Sequence, residues 1–415
     1  MSQTRRRLPI LILILLLVTS CRFPGSTRPV VKVGLAAPFE GLYRSLGYDA
    51  LYGVKLAIRE CNAAGGVGGA MVELAALDDH FNAARAASVA RELAVDPAVM
   101  GVIGPLSSAM ALAAQEEYRR AGLAFITLAP ADALTTDSEG SAFRLSARDA
   151  DLGAFAADHA VNELGARQVA VLRQSGDDLA DAFVRAAQDA GAEVVWDGSA
   201  EGDWLSALHD ADPEAILIAG DALSGADAAQ QIREAGLTAT LLGGQDWTMP
   251  HLVSVGGEAV ENALYVTSTP APATLDADAF VADYQALAGS PPEPYGAWAY
   301  DATRVLLAAL DRAIRADGHP TRAGVMAQLA DQTELQGLNG PIAFDTHGNR
   351  VNPPLYVYRI EEGQFPGRQV RRRTAQKGSK LICTTWNSYR GTIDEERTLW
   401  YNDGEEDSNT AEGIR

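Results

Sequence analysis

From Val30 onward, short apolar runs alternate with longer, alanine-rich amphipathic segments over most of the chain. Each apolar run has the length of a β-strand, and each amphipathic segment has the apolar spacing of a helix. The predicted strands span residues 30–38, 71–79, 100–106, 123–130, 168–174, 193–198, 215–221, 240–246 and 263–269. The predicted helices span residues 49–61, 82–95, 107–121, 151–164, 179–190, 223–235 and 295–318. Because continuous apolar strands separated by helices indicate parallel sheets covered on both faces, the predicted fold class is α/β.

These strand and helix units are more than one twisted sheet usually contains, so we divide them between two doubly wound lobes. The alternation weakens near residues 145–151 and again near 267–275, where proline and polar residues interrupt it. The long helix at 295–318 follows the second break and has its apolar positions largely on one face. If the chain returns there to the first lobe, both lobes are discontinuous, and a hinge with a cleft lies between them.

The charge of the chain excludes nucleic acid as a partner. The 415 residues carry a formal net charge of −20, whereas a nucleic-acid surface needs a basic stripe. The one basic cluster, Arg371–Arg373, lies in a C-terminal segment at 363–415 that has separate basic and acidic blocks and little apolar periodicity. We predict that this segment is an atypical, partly disordered tail.

The first residues have the pattern of a secretory signal. Arg5–Arg7 precede the apolar run Leu8–Val18, which is about half of the roughly 20 residues that a spanning helix requires. The sequence Val18-Thr19-Ser20-Cys21 resembles the bacterial lipobox, which implies cleavage before Cys21 and attachment of lipid to its thiol. We predict a signal peptide at 1–20, a tether at 21–29 and a lipid-anchored, extracytoplasmic protein. The alternative is an ordinary signal peptide with a cysteine nearby.

Cys61 and Cys383 are the cysteines that remain after cleavage, and their separation in sequence does not say whether they pair. No pair of cysteines or histidines has the spacing of a zinc site. We therefore predict no metal and no cofactor.

The glycine-rich stretch NAAGGVGG, Asn62–Gly69, looks at first like a phosphate-binding loop. A dinucleotide-binding loop follows a strand and begins a helix, whereas this stretch follows a predicted helix and precedes a strand. It therefore lies at the negative end of a helix, where a phosphate is repelled. We interpret Gly65 or Gly66 as the left-handed cap that ends the helix.

Two further motifs have both a chemical and a structural interpretation. LDDH at 77–80 suits metal or acid–base chemistry, but Asp79 or Asn82 is also suited to cap the next helix, and we favour the cap. In GPLSSAM, Ser107 and Ser108 lie where a strand gives way to a helix, without the Gly-x-Ser-x-Gly pattern of a nucleophile elbow. Ser107 can cap the helix, and a hydroxyl beside free N–H groups can also receive a carboxylate.

Five segments together carry a family resemblance. They are VKVGLAAPFEG, LGYDALYGVKLAIRECNAAGGVGGAMVELAALDD, VMGVIGPLSSAMALAAQEEYRRAGLAFITLAPA, IREAGLTATLLGGQDW and LNGPIAFDTHGNR. In this order they resemble the signatures of the leucine/isoleucine/valine-binding proteins, type I periplasmic binding proteins that deliver solutes to ABC transporters. The resemblance runs from about Val30 to Ile360. It implies two Rossmann-like lobes, three hinge crossovers and a ligand caught in the cleft. The implied lobe I covers 30–149 plus 270–340, and lobe II covers 150–269 plus 341–362.

The resemblance also implies ligand-binding positions. Ser108 matches the serine that holds the ligand carboxylate in amino-acid binders of this family. Ala129 keeps the backbone carbonyl that meets the ligand, whereas Ala131 stands where the family has a threonine or serine hydroxyl. Asp178 and Asp221 stand where the second lobe usually contributes tyrosines.

Other positions depart from the family pattern as well. Gln245 stands at the acidic partner of the ligand ammonium, and the adjacent Asp246 can substitute for it. The aromatic lid of the first lobe aligns near Leu46, with Tyr43 and Tyr48 close by. The implied site therefore has fewer aromatic walls and more carboxylates than its relatives.

Buried carboxylates need a partner, so we expect a polar or cationic ligand such as a basic amino acid, an amine or an amide. The alternative is that Asp178 and Asp221 are solvent-facing loop residues in a shifted alignment.

The resemblance implies a monomeric, lipid-anchored solute receptor for an ABC importer, with an amino acid or related small molecule as ligand and a permease as partner. A second hypothesis keeps the fold but makes it a sensory or regulatory domain that acts on a partner protein. A third is a hydrolase that uses LDDH or Ser108, and it ranks lowest because no set of nucleophile, base and orienting group is visible.

Overall fold

The computed structural model describes residues 28–374, except 137–139, 175–176, 332 and the side chain of residue 177. Within these residues, the first part of the chain forms a parallel five-stranded sheet with the order β2-β1-β3-β4-β5. Its strands are β1 (Val30–Ala37), β2 (Met71–Asp78), β3 (Val99–Ile103), β4 (Phe125–Thr127) and β5 (Ala142–Arg144). The helices that connect them are α1 (Arg44–Ala63), α2 (Ala83–Val95), α3 (Ser108–Arg120) and α4 (Ala133–Thr136).

The next part of the chain forms five parallel strands of a second sheet. They are β6 (Gln168–Arg173), β7 (Glu193–Ser199), β8 (Ala215–Ala219), β9 (Thr240–Gly243) and β10 (Leu264–Thr267). The accompanying helices are α5 (Asp149–Asp158), α6 (Asp177–Asp189), α7 (Trp204–Ala211), α8 (Ala222–Glu234) and α9 (His251–Gly256). Helix α5 continues as a π-helical turn, and short 3₁₀ turns follow β9 and α9.

The chain then returns to the first lobe. It forms helices α10 (Asp278–Ala288), α11 (Pro294–Asp317) and α12 (Arg322–Ala330) and the hairpin β11 (Leu335–Gly337) and β12 (Gly340–Ile342). Antiparallel strands β13 (Leu355–Glu361) and β14 (Gln364–Arg373) complete the second sheet, whose order is β14-β13-β10-β9-β8-β6-β7.

The predicted α/β class with two doubly wound lobes is confirmed. Each lobe has the order 2-1-3-4-5 among its parallel strands, and β3 and β8 are buried along their whole length, as the continuous apolar runs indicate. The sequence patterns did not identify the short β5, the β11–β12 hairpin or the last two strands. Helices α4, α7, α9, α10 and α12 were also not predicted, because most of them are short and weakly periodic.

The prediction of a tail from residue 363 was wrong for Gln364–Arg373, which form β14 and pair with β13. The basic cluster Arg371–Arg373 therefore belongs to the second sheet. The Arg371 guanidinium lies 2.5 Å from Asp158 and 4.7 Å from the Phe155 ring centroid. An edge strand tolerates this many charged side chains because one face and one edge of the strand meet solvent. A search for apolar runs therefore does not detect β14.

The boundary predicted after residue 340 also differs from the structure. Residues 343–350 still follow the first sheet, because Phe344 packs edge-on against Phe143 and the Arg350 amide donates to the Arg144 carbonyl. Within the described residues the chain passes between the sheets near Ser146, near Ser268 and after Arg350.

The glycine-rich stretch ends a helix, as predicted. Helix α1 stops at Ala63, and Gly65 and Gly66 follow with φ values of 110° and 83°. The Gly66 amide donates to the Cys61 carbonyl at 2.9 Å, which satisfies one of the last helical carbonyls. Cys61 itself is buried and unpaired among the described residues, while Cys21, Cys383 and residues 375–415 lie outside them. None of the described helices is both long and apolar enough to cross a membrane.

Candidate functional site

The strand order places a binding crevice at the same point in both lobes. In an open parallel sheet, ligands bind beyond the carboxyl ends of the strands where the strand order reverses, here between β1 and β3 and between β6 and β8. The two sets of carboxyl ends lie against each other. The Asp132 amide of the first lobe donates to the Asp178 carboxylate of the second at 3.3 Å, and the rings of Tyr43 and His251 lie 5.5 Å apart.

A serine pair marks the centre of the first lobe's side of this cleft. Ser107 is the N-cap of α3, yet its buried hydroxyl makes no capping bond and has no partner in the part of the chain that the structure describes. The Ser108 hydroxyl accepts a hydrogen bond from the Ala131 amide at 3.3 Å. Free N–H groups at a helix N-terminus attract an anion, and the unpartnered Ser107 hydroxyl adds a further donor there.

The two alanine positions are placed beside this serine pair. Ala129 is fully buried, and its carbonyl accepts a 3.5 Å bond from the Ser146 hydroxyl, which leaves a second lone pair. The Ala131 carbonyl accepts from the Arg144 guanidinium. The missing hydroxyl at position 131 is therefore accompanied by an arginine that occupies the neighbouring space.

Arg144 is a buried cation beside the cleft. Its side chain is fully buried, and Nη2 donates to the Ala131 carbonyl and, at 3.3 Å, to the Thr135 hydroxyl. Its Nη1 lies 3.6 Å from the Asp132 carboxylate, and neither Nε nor Nη1 has a hydrogen-bond partner among the described residues. Burial lowers the pKa of Arg144 to about 10, although Asp132 and Asp149 oppose the shift, so it stays charged at neutral pH.

Asp149 is a buried carboxylate and Asp246 a half-buried one in the same region. Asp149 begins α5, is 7% exposed, and donates its own amide to the Pro130 carbonyl at 2.9 Å. Burial, followed by the charges of Asp246 and Asp132, raises the pKa of Asp149 well above its ordinary value. Burial and the nearby Asp221 carboxylate raise the pKa of Asp246 to about 6. The cleft therefore contains negative charge that the protein compensates only in part.

The other two predicted aspartates have different surroundings. Asp178 is exposed at the start of α6, where its carboxylate accepts from the first lobe. Asp221 is the N-cap of α8, and its carboxylate accepts from the amides of Leu223 and Ser224 at 2.9 Å each. A ligand role for either residue stays a prediction, and Asp221 has a helix-capping role already.

The side chain of Gln245 is hydrogen-bonded within the hinge. It is 2% exposed, and its Oε1 accepts from the Ser268 amide at 2.9 Å and from the hydroxyls of Thr267 and Ser268 at 3.1 Å each. Its Nε2 donates to the Thr269 hydroxyl at 3.0 Å. The side chain therefore holds the second crossover in place, and its predicted contact with a ligand stays untested. The adjacent Asp246 is the residue whose pKa is raised in part by a nearby cleft carboxylate, that of Asp221.

Comparison with known proteins gives the fold a family. Residues 30–364 match the family model described as a periplasmic binding protein. The chain belongs to this family.

Individual relatives cover nearly the same region. The Leu/Ile/Val-binding protein homolog 3 of Brucella melitensis is 26% identical over 360 residues, which cover 83% of this chain and 95% of that protein. An amino acid binding protein of Pseudomonas aeruginosa is 28% identical over 344 residues, which cover 80% and 90%. The solved leucine-binding protein of Thermotoga maritima is 27% identical, with a TM-score of 0.71 and coverage of 80% and 96%. This similarity supports a solute-binding role.

An aromatic cluster joins the two sides of the cleft in this binding protein. The rings of Tyr43 and Phe81 stack with centroids 3.8 Å apart, and His251 reaches Tyr43 from the second lobe. Burial, followed by the Asp221 charge, raises the pKa of Tyr43 to about 12. The sequence indicated Tyr43 but not Phe81 or His251, because these rings come from three separate strand ends.

The predicted lid at Leu46 takes no such position. Leu46 is buried in the core of the first lobe, and the nearby Tyr48 is 45% exposed, with its ring 5.8 Å from that of Phe39. Tyr43 is thus the member of this group that reaches across the cleft.

The LDDH motif has the structural role that we favoured. Asn82 is the N-cap of α2 and accepts from the Arg85 amide at 3.0 Å. Glu40, Asp78 and His80 place potential metal-ligand atoms within 4.8 Å of one another, but two of the three residues are exposed. The Asp78 carboxylate already accepts from backbone amides, including that of His80. Among the described residues no hydrogen bond joins either cleft serine to a histidine.

Proposed function

We propose that this chain is an extracytoplasmic, lipid-anchored solute-binding protein of an ABC importer whose ligand is an amino acid or a related polar or cationic small molecule. The observation that supports this proposal most is that one part of the cleft favours an anion and another part favours a cation. The helix N-terminus at Ser107 and Ser108 favours an anion, whereas the buried Asp149 and half-buried Asp246 carboxylates favour a cation. An amino acid carries both groups a few ångströms apart.

In the proposed complex, the ligand carboxylate lies at the N-terminus of α3 and accepts from Ser107, Ser108 and the free amides. The ligand ammonium donates to the Ala129 carbonyl and to Asp246. The N-terminus of α3 and the Ala129 carbonyl belong to the first lobe, and Asp246 belongs to the second. The ligand therefore links the two lobes. Closure of two lobes around a ligand is a hinge motion of known type.

The names of the relatives support the ligand class and the transport role. They include Leu/Ile/Val-binding proteins and an amino acid binding protein, and one solved relative is described as the substrate-binding protein of a branched-chain amino acid transporter. The cleft of this chain contains several carboxylates, so we propose a more polar ligand than leucine. A permease is the proposed partner, and the protein is proposed to act as a monomer.

A ligand panel tests this function. Soluble protein lacking residues 1–21 is screened by thermal shift against the twenty amino acids, diamines and small organic acids, because a ligand that binds the folded state raises its melting temperature. Calorimetry then measures each hit with the unaltered protein, with Ser108→Ala and with Ser206→Ala. Ser206 is exposed on α7 and serves as the matched control. We expect at least one amino acid hit, weakened by Ser108→Ala alone. A panel with no hit among amino acids or amines would remove the proposal.

The lipid anchor has a separate test. Cells expressing the full chain or Cys21→Ser are labelled with a fatty acid and fractionated. We expect label and membrane association for the full chain and neither for the variant. Equal membrane association of both chains would contradict the anchor without affecting the proposed ligand.

A further inference from the structure

We propose that Tyr43, Phe81 and His251 form an aromatic latch that holds the two lobes together across the cleft. Tyr43 and Phe81 belong to the first lobe, and His251 belongs to the second. The latch acts on the lobes and not on the ligand, so it goes beyond the proposed function and does not depend on which solute binds. A bound solute leaves only when the lobes separate, so the latch determines how long the solute is retained.

Two direct contacts between the lobes occupy equivalent places in the strand order, which is 2-1-3-4-5 in each lobe. Tyr43 follows the first strand of the first lobe, and it meets His251, which follows the fourth strand of the second lobe. Asp132 follows the fourth strand of the first lobe, and its amide donates to Asp178, which follows the first strand of the second. Ser107 follows β3, which lies between β1 and β4, so the two contacts flank the proposed ligand site.

The two contacts differ in kind. The contact of Asp132 with Asp178 is one hydrogen bond of 3.3 Å to an exposed carboxylate, for which water competes. The rings of Tyr43 and His251 lie 5.5 Å apart with an angle of 54° between their planes, within the range in which aromatic rings attract one another. Ring surface that is removed from water adds to this attraction. The ring contact is therefore the one that we expect to hold the lobes.

Phe81 orients Tyr43 for this contact. The two rings stack with their centroids 3.8 Å apart and an angle of 21° between their planes, and both pack against the core of the first lobe. Stacking limits the rotation of the Tyr43 side chain, so less conformational entropy is lost when the ring meets the second lobe. Phe81 is thus a positioning residue, and Tyr43 is the residue that makes the contact.

The LDDH motif holds the turn that carries Phe81. His80 and Phe81 have φ values of 53° and 52°, in the left-handed region that is unfavourable for bulky side chains. The Asp78 carboxylate accepts from the His80 amide at 2.8 Å, and the buried Asp79 carboxylate accepts from the Phe81 amide at 2.9 Å. Strained backbone of this kind is retained where the surroundings fix it, often at a clamp around a ligand. The two carboxylates therefore direct Phe81 onto Tyr43.

The second lobe presents His251 on a supported helix. His251 is the first residue of α9, and the Gln230 side chain of α8 donates to the Val255 carbonyl of α9 at 2.8 Å. The Nδ1 atom of His251 is buried and has no hydrogen-bond partner among the described residues. No hydrogen bond at this atom holds the ring within the described part of the second lobe, so the ring is available to Tyr43.

Hydrogen exchange of the full chain without ligand tests the latch. The Asp132 amide reports separation of the lobes because its acceptor belongs to the other lobe. Exchange at such an amide follows the fraction of molecules in which the contact is open. Mass spectrometry compares the peptide that contains Asp132 with peptides from β3 and β8, which are buried along their whole length and report unfolding.

The variants are Tyr43→Ala, His251→Ala, Phe81→Ala, His251→Phe and the matched control Tyr48→Ala. Tyr48 is 45% exposed on α1, and its ring meets Phe39 of its own lobe at 5.8 Å. Loss of Tyr48 therefore removes the same atoms as loss of Tyr43 without removing the ring contact with His251.

We expect Tyr43→Ala and His251→Ala to accelerate exchange at Asp132 by at least about twofold, which corresponds to the loss of one aromatic pair. The combined variant should exchange no faster than Tyr43→Ala alone, because both substitutions remove the same contact. Phe81→Ala should have a smaller effect, and His251→Phe should keep the protection because a ring remains. Tyr48→Ala should have no effect, and the peptides from β3 and β8 should exchange equally in all variants.

Three results would overturn the latch. One is unchanged exchange at Asp132 in Tyr43→Ala and His251→Ala. Another is equal acceleration of all three peptides, which would show that the rings stabilise the whole fold. The third is exchange in His251→Phe as fast as in His251→Ala. Because the experiment contains no ligand, failure of the latch leaves the proposed function standing, and a ligand panel without hits leaves the latch standing.

Discussion

The hinge and the cleft both contain polar side chains, but among the described residues the hinge side chains of Gln245 and Ser268 are paired, whereas several in the cleft are not. At the hinge, the Ser268 hydroxyl accepts from the Ala147 amide of the first crossover and donates to Gln245, while its carbonyl accepts from Asn339 before the third crossover. One residue thus connects the first two crossovers with the turn between β11 and β12. In the cleft, Ser107 and the Asp132–Arg144 group keep unpartnered atoms.

This difference in pairing distinguishes the residues that hold the fold from the residues proposed to bind the ligand, although the two groups are neighbours. Gln245 and Asp246 are neighbours in sequence, yet the first has each polar atom bonded to the hinge and the second has a pKa raised by burial and a nearby carboxylate. A satisfied network stabilises one geometry, whereas an unsatisfied one gains stability when a ligand completes it. The predictions below test whether the two regions behave in these opposite ways.

The largest effect on stability is expected from Arg350→Met at the hinge. Arg350 is buried, and its Nη2 donates to the carbonyls of Asn339 at 2.7 Å and Pro341 at 2.9 Å. Its loss removes the donor to both carbonyls and one of the two positive charges, with Arg304, that face buried Asp301, at a cost of about 3 kcal/mol. Urea unfolding measures this change, and a loss below about 1 kcal/mol would contradict a stabilising role for the network.

A smaller loss is expected from Gln245→Leu. The variant removes the acceptor of the Ser268 amide and hydroxyl and should cost about 2 kcal/mol of the free energy of unfolding. Gln231→Leu, at an exposed position on α8, is the matched control and should change stability by less than about 0.5 kcal/mol. If the two variants unfold alike, Gln245 does not hold the crossover.

The cleft should respond in the opposite direction. Asp246 has a pKa of about 6 when folded and 3.8 as its reference value, so the folded state holds a proton that the unfolded state has lost between these values. Stability contributed by this group is present below pH 4 and is lost as the pH rises to about 6. Asp246→Asn removes that loss and should stabilise the ligand-free protein at neutral pH by about 1 to 2 kcal/mol.

Unfolding of the unaltered protein and of Asp246→Asn is measured between pH 4 and pH 7.5. The difference between them should grow with pH and then level off. A difference that is constant with pH would mean that Asp246 titrates normally. The same variant should bind the ligand more weakly, because it removes a carboxylate proposed to meet the ammonium.

The smallest effect on stability is expected from Ser107→Ala. Its hydroxyl has no partner in the ligand-free cleft, so the free energy of unfolding should stay within about 0.5 kcal/mol. Ligand affinity should nevertheless fall at least about tenfold, the value of one hydrogen bond to a charged group at the lower end of its range. Unchanged affinity in calorimetry would exclude Ser107 from the site.

The sequence patterns predicted the scaffold better than the site. Buried parallel strands are continuous apolar runs, so both lobes could be located from local sequence, and the serines of α3 were found because a strand-to-helix junction is also local. Asp149 was missed because an aspartate at the start of a helix has an ordinary local explanation. Phe81 and His251 approach Tyr43 only in the folded chain, so no single segment of the sequence indicates these contacts.

The most direct test of the cleft account is the proton balance of ligand binding. The tightest-binding amino acid or amine is titrated calorimetrically at pH 6 in two buffers with different ionisation enthalpies. Because the ligand-free carboxylates of Asp149 and Asp246 hold protons there, a cationic ligand should displace about one proton on binding. Asp149→Asn should reduce this release. Binding with no proton exchange would show that the buried carboxylates do not meet the ligand's positive charge.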